Sequence, residues 1–310
     1  MRSKDPLQIA FVGTYPPSRC GIGTFTQDLS DAVMTADEGI GATVLAMTAA
    51  DFDSEYAERV RFRIRREVQG DYARAARFVN DGDVRLVSIQ HEYGIFGGPD
   101  GAFILDFLAG LRKPSIATLH TVLDRPSTSQ RAIVRAMAER CENLVVMSRL
   151  AVDLLEASYA VPRDRIRVIP HGIPDMRADE REISKSRFGL LSPSKGIEVV
   201  IRALPKLVAL FPDLTYLVVG VTHPEVKRRV GEEYRDSLER EAESLGVSDH
   251  VVFRNRFVEL PELCRYLQAS DVYITPYLHQ AQITRGTLAY ALGSGAAHVS
   301  TPYWYAQELL

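Results

Sequence analysis

Residues 91–101 read HEYGIFGGPDG and follow the apolar run VRLVSIQ (84–90). His91 and Glu92 put an imidazole and a carboxylate at the mouth of a strand that reads as buried, and Tyr93 adds a phenol. Such groups suit proton transfer and recognition of hydroxyls. In open α/β sheets, ligands bind at the carboxyl ends of the strands. A second imidazole, His120, ends SIATLH (115–120) and is followed by Thr121; a third, His171, sits in IPHGI. Each has a plainer use. A histidine at a strand terminus serves equally well as a hydrogen-bonded structural residue, and His171 caps a turn as readily as it faces a ligand.

Two further stretches have the chemistry to hold an anion. In GTYPPSRCGIGTFTQDL, Gly21 and Gly23 open a helix whose first backbone N–H groups can meet a phosphate or a sugar. The plainer reading is a glycine turn that only lets the helix start. A dinucleotide fingerprint would place a third glycine where Thr26 stands, and Asp51 comes three residues after the strand end at Thr48, so a nicotinamide dehydrogenase is the weaker reading. In GLLSPSKGIEVVIRAL, Lys195 precedes an amphipathic helix, where its charge and the first-turn amides suit a diphosphate. A solvated surface lysine is the alternative, and the stretch lacks the P-loop pattern. The carboxylate pairs DFD (51–53) and DGD (81–83) have a spacing common by chance, so no metal is expected. No G-x-S-x-G elbow or H-E-x-x-H pair occurs.

The elements that must position these groups alternate. Strand-like runs fall at 8–13, 43–48, 60–64, 84–90, 115–120, 143–147 and 165–172, with helical patterns at 24–36, 100–112, 128–140 and 149–159 among them. Ser148 has the character of an N-cap for the last helix. The second half repeats the theme: strands at 188–191, 215–220, 250–253, 272–276 and 297–301, and helices near 196–210, 225–245, 259–268 and 285–294. Apolar strands alternating with helices predict α/β folding with doubly wound parallel sheets. DMRADEREISKSR (175–187) is charged and almost without apolar residues, so it reads as a linker between a domain at 1–174 and one at 188–310.

Composition agrees with two soluble domains. The 310 residues exceed one ordinary core. Apolar residues make up 46% and charged residues 25%, and a net charge of −3 gives no reason to expect a nucleic-acid partner. Cys20, Cys141 and Cys264 have neither zinc-ligand spacing nor an even count, which suits a reducing cytoplasm. The N-terminus enters a strand without a signal-peptide core, and no apolar run is long enough to cross a bilayer. Peripheral contact with the inner membrane face stays open.

The segments PPSRCGIGTFTQDL, QHEYGIFGGPDGAFILDFL, PSIATLHTVL, VIPHGIPD, FGLLSPSKGIE and YITPYLHQAQITRGTLAYALGSG, in this order and spacing, resemble the retaining GT-B glycosyltransferases of family 4, also called group 1. With FGLLSPxKGIE the chain looks like a member of a bacterial subgroup of that family. The resemblance implies two Rossmann-like domains facing a cleft, a nucleotide-sugar donor (GDP- or UDP-linked) held mainly by the C-terminal domain, and a hydroxyl acceptor held mainly by the N-terminal one. It implies no cofactor. His91, Glu92 and Tyr93 would line the acceptor side. Gly21 and Gly23 would approach the donor, His120 would contact the transferring sugar, and Lys195 would neutralise the diphosphate. Retention would follow from front-face attack, the leaving phosphate taking the acceptor proton without a metal.

The departures from the family matter as much. Its E-x7-E carboxylates fall on Gln282 and Tyr290, and the arginine usually paired with the lysine falls on Leu190. Gln282 retains one donor and one acceptor group for sugar hydroxyls. Thr284 lies in the same donor-side stretch, Tyr290 would reach the nucleoside, and Glu308 matches a glutamate near the donor. Family members usually continue past PYWYAQELL, so the C-terminal domain is expected to be incomplete and the chain poorly soluble or weakly active alone. The sequence therefore leads to a metal-independent retaining hexosyltransferase. The rival is an inactive or binding-only GT-B protein with a degenerate donor site.

Overall fold

The computed structural model describes residues 6–18, 20–50, 52, 54–174, 187–188, 190–222, 224–256, 258–284 and 286–310. The expected linker, apart from Arg187, and both aspartates of DFD lie outside the described residues. The chain divides into two compact units, Met1–His171 and Gly172–Leu310.

The first unit is built on a seven-stranded sheet whose paired strands are all parallel, in the order β3-β2-β1-β4-β5-β6-β7. In chain order the elements are β1 (Leu7–Gly13), α1 (Gly21–Ala36), β2 (Ile40–Thr48), β3 (Val60–Arg65), α2 (Gln69–Asp81), β4 (Leu86–His91), α3 (Ile104–Gly110), β5 (Ser115–Leu119), α4 (Thr128–Arg140), β6 (Asn143–Val146), α5 (Arg149–Tyr159) and β7 (Ile166–Val168). The direction of strand addition reverses between β1 and β4, which opens a crevice at their carboxyl ends. Central strands covered on both faces need apolar residues throughout, and Ile9 to Val12 are all buried. The edge strand β3 instead alternates, with Arg61, Arg63 and Arg65 turned outward and Ile64 buried.

Small side chains bring α1 close to the sheet: Gly23, Thr24, Thr26 and Ser30 form its buried positions. Ser148 caps α5 as expected, its Oγ accepting from the Ala151 N–H at 3.2 Å. A capping box opens α4, where Ser127 Oγ accepts from Gln130 N–H and Gln130 Oε1 accepts from Ser127 N–H.

The second unit contains β8 (Arg187–Phe188), β9 (Leu190–Leu191), α6 (Ile197–Leu210), β10 (Tyr216–Val219), β11 (Val221–Thr222), α7 (Pro224–Val230), α8 (Glu233–Ser244), β12 (Val251–Arg254), β13 (Val258–Glu259), α9 (Leu260–Ala269), β14 (Val272–Thr275), α10 (Gly286–Ser294), β15 (Ala297–Ser300) and α11 (Trp304–Leu309). Its strands form short pairs: β9 with β11, β10 with β12 and β14 with β15 are parallel, whereas β8 with β13 is antiparallel. The helix expected over 225–245 is broken in two at Gly231, whose φ of 63° is left-handed. Leu191, Ile197, Ile201, Leu204, Val218, Leu238 and Val251 form a core between α6, α8 and these strands. Burying each such side chain contributes about 1.5–3 kcal/mol.

Candidate functional site

In the first unit, the side chains of interest gather where β1, β4 and β5 end. β1 ends at Gly13, where a Cβ would lie 3.0 Å from the Gln90 Cβ and 3.2 Å from the Thr26 hydroxyl. Gln90 is fully buried; its amide nitrogen donates to Ser88 Oγ at 3.0 Å and its Oε1 lies 3.1 Å from His120 Nε2. The His120 ring stands edge-on to Phe25 of α1, with centroids 4.7 Å apart, and His171 meets the same phenyl ring at 5.2 Å. Burial, then the fields of His171 and His91, pull the His120 pKa down to about 3, so the ring is neutral at neutral pH. A neutral imidazole is both donor and acceptor.

His91 turns into the interior. It is fully buried, stacks on Phe96 at 5.8 Å, and meets the edge of Tyr93 at 4.9 Å. Neither of its ring nitrogens has a hydrogen-bond partner among the described residues, and burial lowers its pKa to about 4. Its link to the site is its backbone carbonyl, which accepts from His120 N–H at 3.0 Å. Glu92 stays beside the strand ends. One carboxylate oxygen accepts from Tyr93 N–H at 3.0 Å and the other from the Thr121 hydroxyl at 2.5 Å. The Tyr93 hydroxyl lies 3.3 Å from that of Tyr159, which also accepts from Leu123 N–H at 2.9 Å. Gly21 is exposed at the start of α1, and Gly23 is buried against the 14–18 turn.

The glycines of HEYGIFGGPDG are steric requirements. A Cβ on Gly97 would come within 1.9 Å of the Arg66 carbonyl oxygen. Gly98 and Gly101 have φ of 77° and 83°. The Tyr72 hydroxyl fastens the loop by donating to Arg66 O at 2.9 Å and accepting from Gly97 N–H at 2.8 Å.

In the second unit, Lys195 ends a one-turn 3-10 segment just before α6. Its Nζ donates to the Tyr277 hydroxyl at 3.1 Å and stands 4.5 Å from that ring's centroid. Gly196 has φ of 65°, and a Cβ there would lie 2.1 Å from Pro276 O, so only glycine lets the lysine turn sit against the end of β14. Leu278 N–H donates to Ser194 O at 3.3 Å, a second tie between the same two segments. Gln282 lies in the following loop, which α11 supports: Trp304 N–H donates to Gln280 O at 3.0 Å and Tyr305 N–H to Gln282 O at 2.9 Å. The Thr284 hydroxyl donates to the Ile283 carbonyl at 2.8 Å.

Tyr290 is packed in a core with Cys264, Leu267 and Ala291, at 4% exposure. Its ring belongs to the α9–α10 packing. Glu308 is exposed on the last turn of α11. Among the described residues, no group of three or more His, Cys, Asp or Glu side chains stands close enough to hold a metal. No helix among them is long and apolar enough to cross a membrane. A cavity of about 760 Å³ in the first unit, lined in part by Gln8, Asp31, Arg59, Arg61 and Asp83, contains none of these side chains.

Sequence reasoning passed over Gln90, Phe25 and Tyr277. Gln90 was legible as the polar residue ending an apolar strand. Phe25 follows Gly21 by four residues and so shares its helix face, and Tyr277 follows a strand directly.

The sequence model of Glycosyltransferase Family 4 matches residues 20–177, and that of Glycosyl transferases group 1 matches residues 187–281. A GDP-mannose-dependent alpha-(1-6)-phosphatidylinositol monomannoside mannosyltransferase of Mycolicibacterium smegmatis is 29% identical over 165 residues, which cover 47% of this chain but 39% of that protein's length. Among solved structures, a glycosyltransferase from Rickettsia africae ESF-5 superposes over 96% of this chain and 79% of its own, with a TM-score of 0.67 at 14% identity. An alpha-glucosyltransferase in complex with UDP and a 13-mer DNA covers 95% and 80%, with a TM-score of 0.58 at 14% identity. At these identities the likeness speaks for the fold, which is α/β, Rossmann-like and of the GT-B type. Since the first family match spans just over half of the sequence, the chain belongs to Glycosyltransferase Family 4.

Proposed function

We propose that this protein transfers a hexose from a nucleotide sugar, GDP- or UDP-linked, to a hydroxyl acceptor, with retention of anomeric configuration and without a metal. The observation that carries the reading is that the two family matches fall on the two groups of side chains described above: His120 with its neighbours within 20–177, and Lys195 with Tyr277 within 187–281. The mannosyltransferase relative favours a GDP-linked donor.

In the reaction, the bond between the anomeric carbon and the diphosphate oxygen breaks, and its electron pair goes to the phosphate. The acceptor oxygen bonds to the same face of that carbon, and its proton passes to the departing phosphate oxygen. Negative charge grows on the diphosphate at the transition state. The Lys195 ammonium and the first amides of α6 would stabilise it there more than in the ground state. The lysine is held in place by Tyr277, so little reorganisation is needed. The neutral His120 can hydrogen-bond a sugar hydroxyl without adding positive charge beside the forming oxocarbenium-like centre.

A second reading rests on Gln282 and Tyr290, which stand where the family resemblance places two carboxylates. With Tyr290 in the core, the protein would bind a nucleotide sugar and not turn it over. Purified protein incubated with GDP- and UDP-hexoses decides between them. Nucleoside diphosphate released faster than the uncatalysed rate, with or without acceptor and in excess chelator, supports transfer. Binding without release supports the second reading, and activity that needs added manganese would overturn the metal-free mechanism.

A further inference from the structure

The geometry points to Gln90 as a positioning residue that fixes which nitrogen of His120 carries the proton. Gln90 is fully buried at the end of β4. Its nitrogen donates to Ser88 Oγ, two residues back on the same strand face, at 3.0 Å. The atom facing His120 is Oε1, an acceptor without a hydrogen, 3.1 Å from Nε2. A neutral imidazole can meet an acceptor only through its N–H. Nε2 thus holds the hydrogen and Nδ1 holds the lone pair. Nδ1 has no hydrogen-bond partner among the described residues and stays available as an acceptor.

Gly13 backs directly onto the Gln90 Cβ. The Phe25 ring packs against the imidazole from another side, at an interplanar angle of 87°. The chain Ser88–Gln90–His120 therefore orders donors and acceptors in one direction, from a buried serine to a histidine at the end of β5. If His120 meets the transferring sugar, as the proposed function has it, its free nitrogen accepts a hydrogen bond from a sugar hydroxyl. The tautomer itself does not depend on that function.

The test is a long-range nitrogen–proton correlation NMR experiment on the full, ligand-free chain carrying nitrogen-15 histidine, with the His120 signals assigned by their loss in His120→Asn. The native protein should show the Nε2–H tautomer at His120. Gln90→Leu, similar in volume but without an acceptor, should lower the Nε2–H to Nδ1–H ratio by roughly two- to tenfold, the range one net hydrogen bond supplies. Gln90→Glu keeps an acceptor and should retain the Nε2–H form while raising the titration midpoint of His120. A role in packing alone would leave the tautomer untouched in Gln90→Leu. An Nδ1–H form in the native protein, or an unchanged ratio in Gln90→Leu, overturns the assignment. If Gln90→Leu does not fold, Ser88→Ala replaces it: it frees the amide to turn, and an unchanged ratio there overturns the assignment equally. Because the readout needs no substrate, a failure of the sugar-transfer reading would leave this result standing, and the reverse.

Discussion

The ammonium of Lys195 is held by one side chain in two ways, through the hydroxyl of Tyr277 at 3.1 Å and over its ring at 4.5 Å. Tyr277 is itself buried and packs against Tyr303, with centroids 5.1 Å apart. The cation is thus presented from a fixed aromatic platform and not from a free four-carbon stem. Lys195→Ala should weaken nucleoside-diphosphate binding by about 1.5–3 kcal/mol, the range for hydrogen bonds to charged groups. Tyr277→Phe keeps the ring and should cost less than about 1 kcal/mol, whereas Tyr277→Ala should approach the lysine variant. Calorimetric titration with GDP and UDP measures all three. Unchanged affinity in Lys195→Ala would remove the residue from the site.

His120→Ala should separate turnover from nucleotide binding. The ring lies among the strand ends of the first unit, where its proposed contact is with the transferring sugar. A group that acts chiefly in the transition state lowers kcat more than it weakens nucleotide affinity. Steady-state kinetics beside direct nucleotide titration test this, and unchanged turnover would leave the histidine a structural residue.

The fully buried His91 and the half-buried His120 should make the fold sensitive to mild acid. Burial lowers the pKa values of His91 and His120 to about 4 and about 3, below the ordinary value near 6.5. Below pH 6.5 the unfolded chain binds protons that the folded chain refuses. Stability is therefore full above that pH and falls as the pH drops toward 4, by about 1.4 kcal/mol per pH unit for each histidine. His91→Leu should remove one histidine's share of this slope. Asp71 acts in a separate window. Hydrogen bonds from Arg65 hold its carboxyl down at about 2, so its contribution is lost only below about pH 4. Urea denaturation at several pH values resolves the two, and an unchanged slope between pH 6.5 and 4.5 in His91→Leu would contradict the assignment.

Gly196→Ala should destabilise the second unit by about 1–3 kcal/mol for the left-handed φ alone, with a further cost because Pro276 O, a backbone atom, stands where the methyl would go. Relief requires the Lys195 turn to leave the end of β14, so nucleotide affinity should fall together with the denaturation midpoint. Affinity retained in a destabilised variant would show that the two segments part without disturbing the lysine.

How much of this was legible follows from particular residues. The run QIAFVG declares a buried strand by its unbroken apolar stretch from Ile9 to Val12, and Ser148 declares a helix start by its hydroxyl. Both stand as read. The helix α2 was not among the expected segments. Its buried face is Tyr72, Ala75, Ala76 and Val79, which has helical spacing but carries little apolar mass between arginines, and Val68 offers no cap. The helix expected over 100–112 begins at Ile104, because Gly98, Asp100 and Gly101 take positive φ to pass under Tyr93 and Phe103. His120 and Lys195 could be picked by residue type and place. Gln90 and Tyr277 carry a signal of place too, but their pairing with these two residues does not, since those contacts join positions 30 and 82 residues apart.

The alternation along β4 sets a limit on how this sequence can drift. Ser88 and Gln90 share one face of the strand, while His91 faces the rings of Tyr93 and Phe96. A single residue inserted between 86 and 90 would exchange the faces. It would put an imidazole without polar partners where the serine–glutamine pair stands, and an amide against aromatic rings. Replacements of similar size along β4 are thus open to descendants of this chain, whereas changes in its length are closed. The polar turn at Gly82 and Asp83, just upstream, is where length variation should accumulate among relatives.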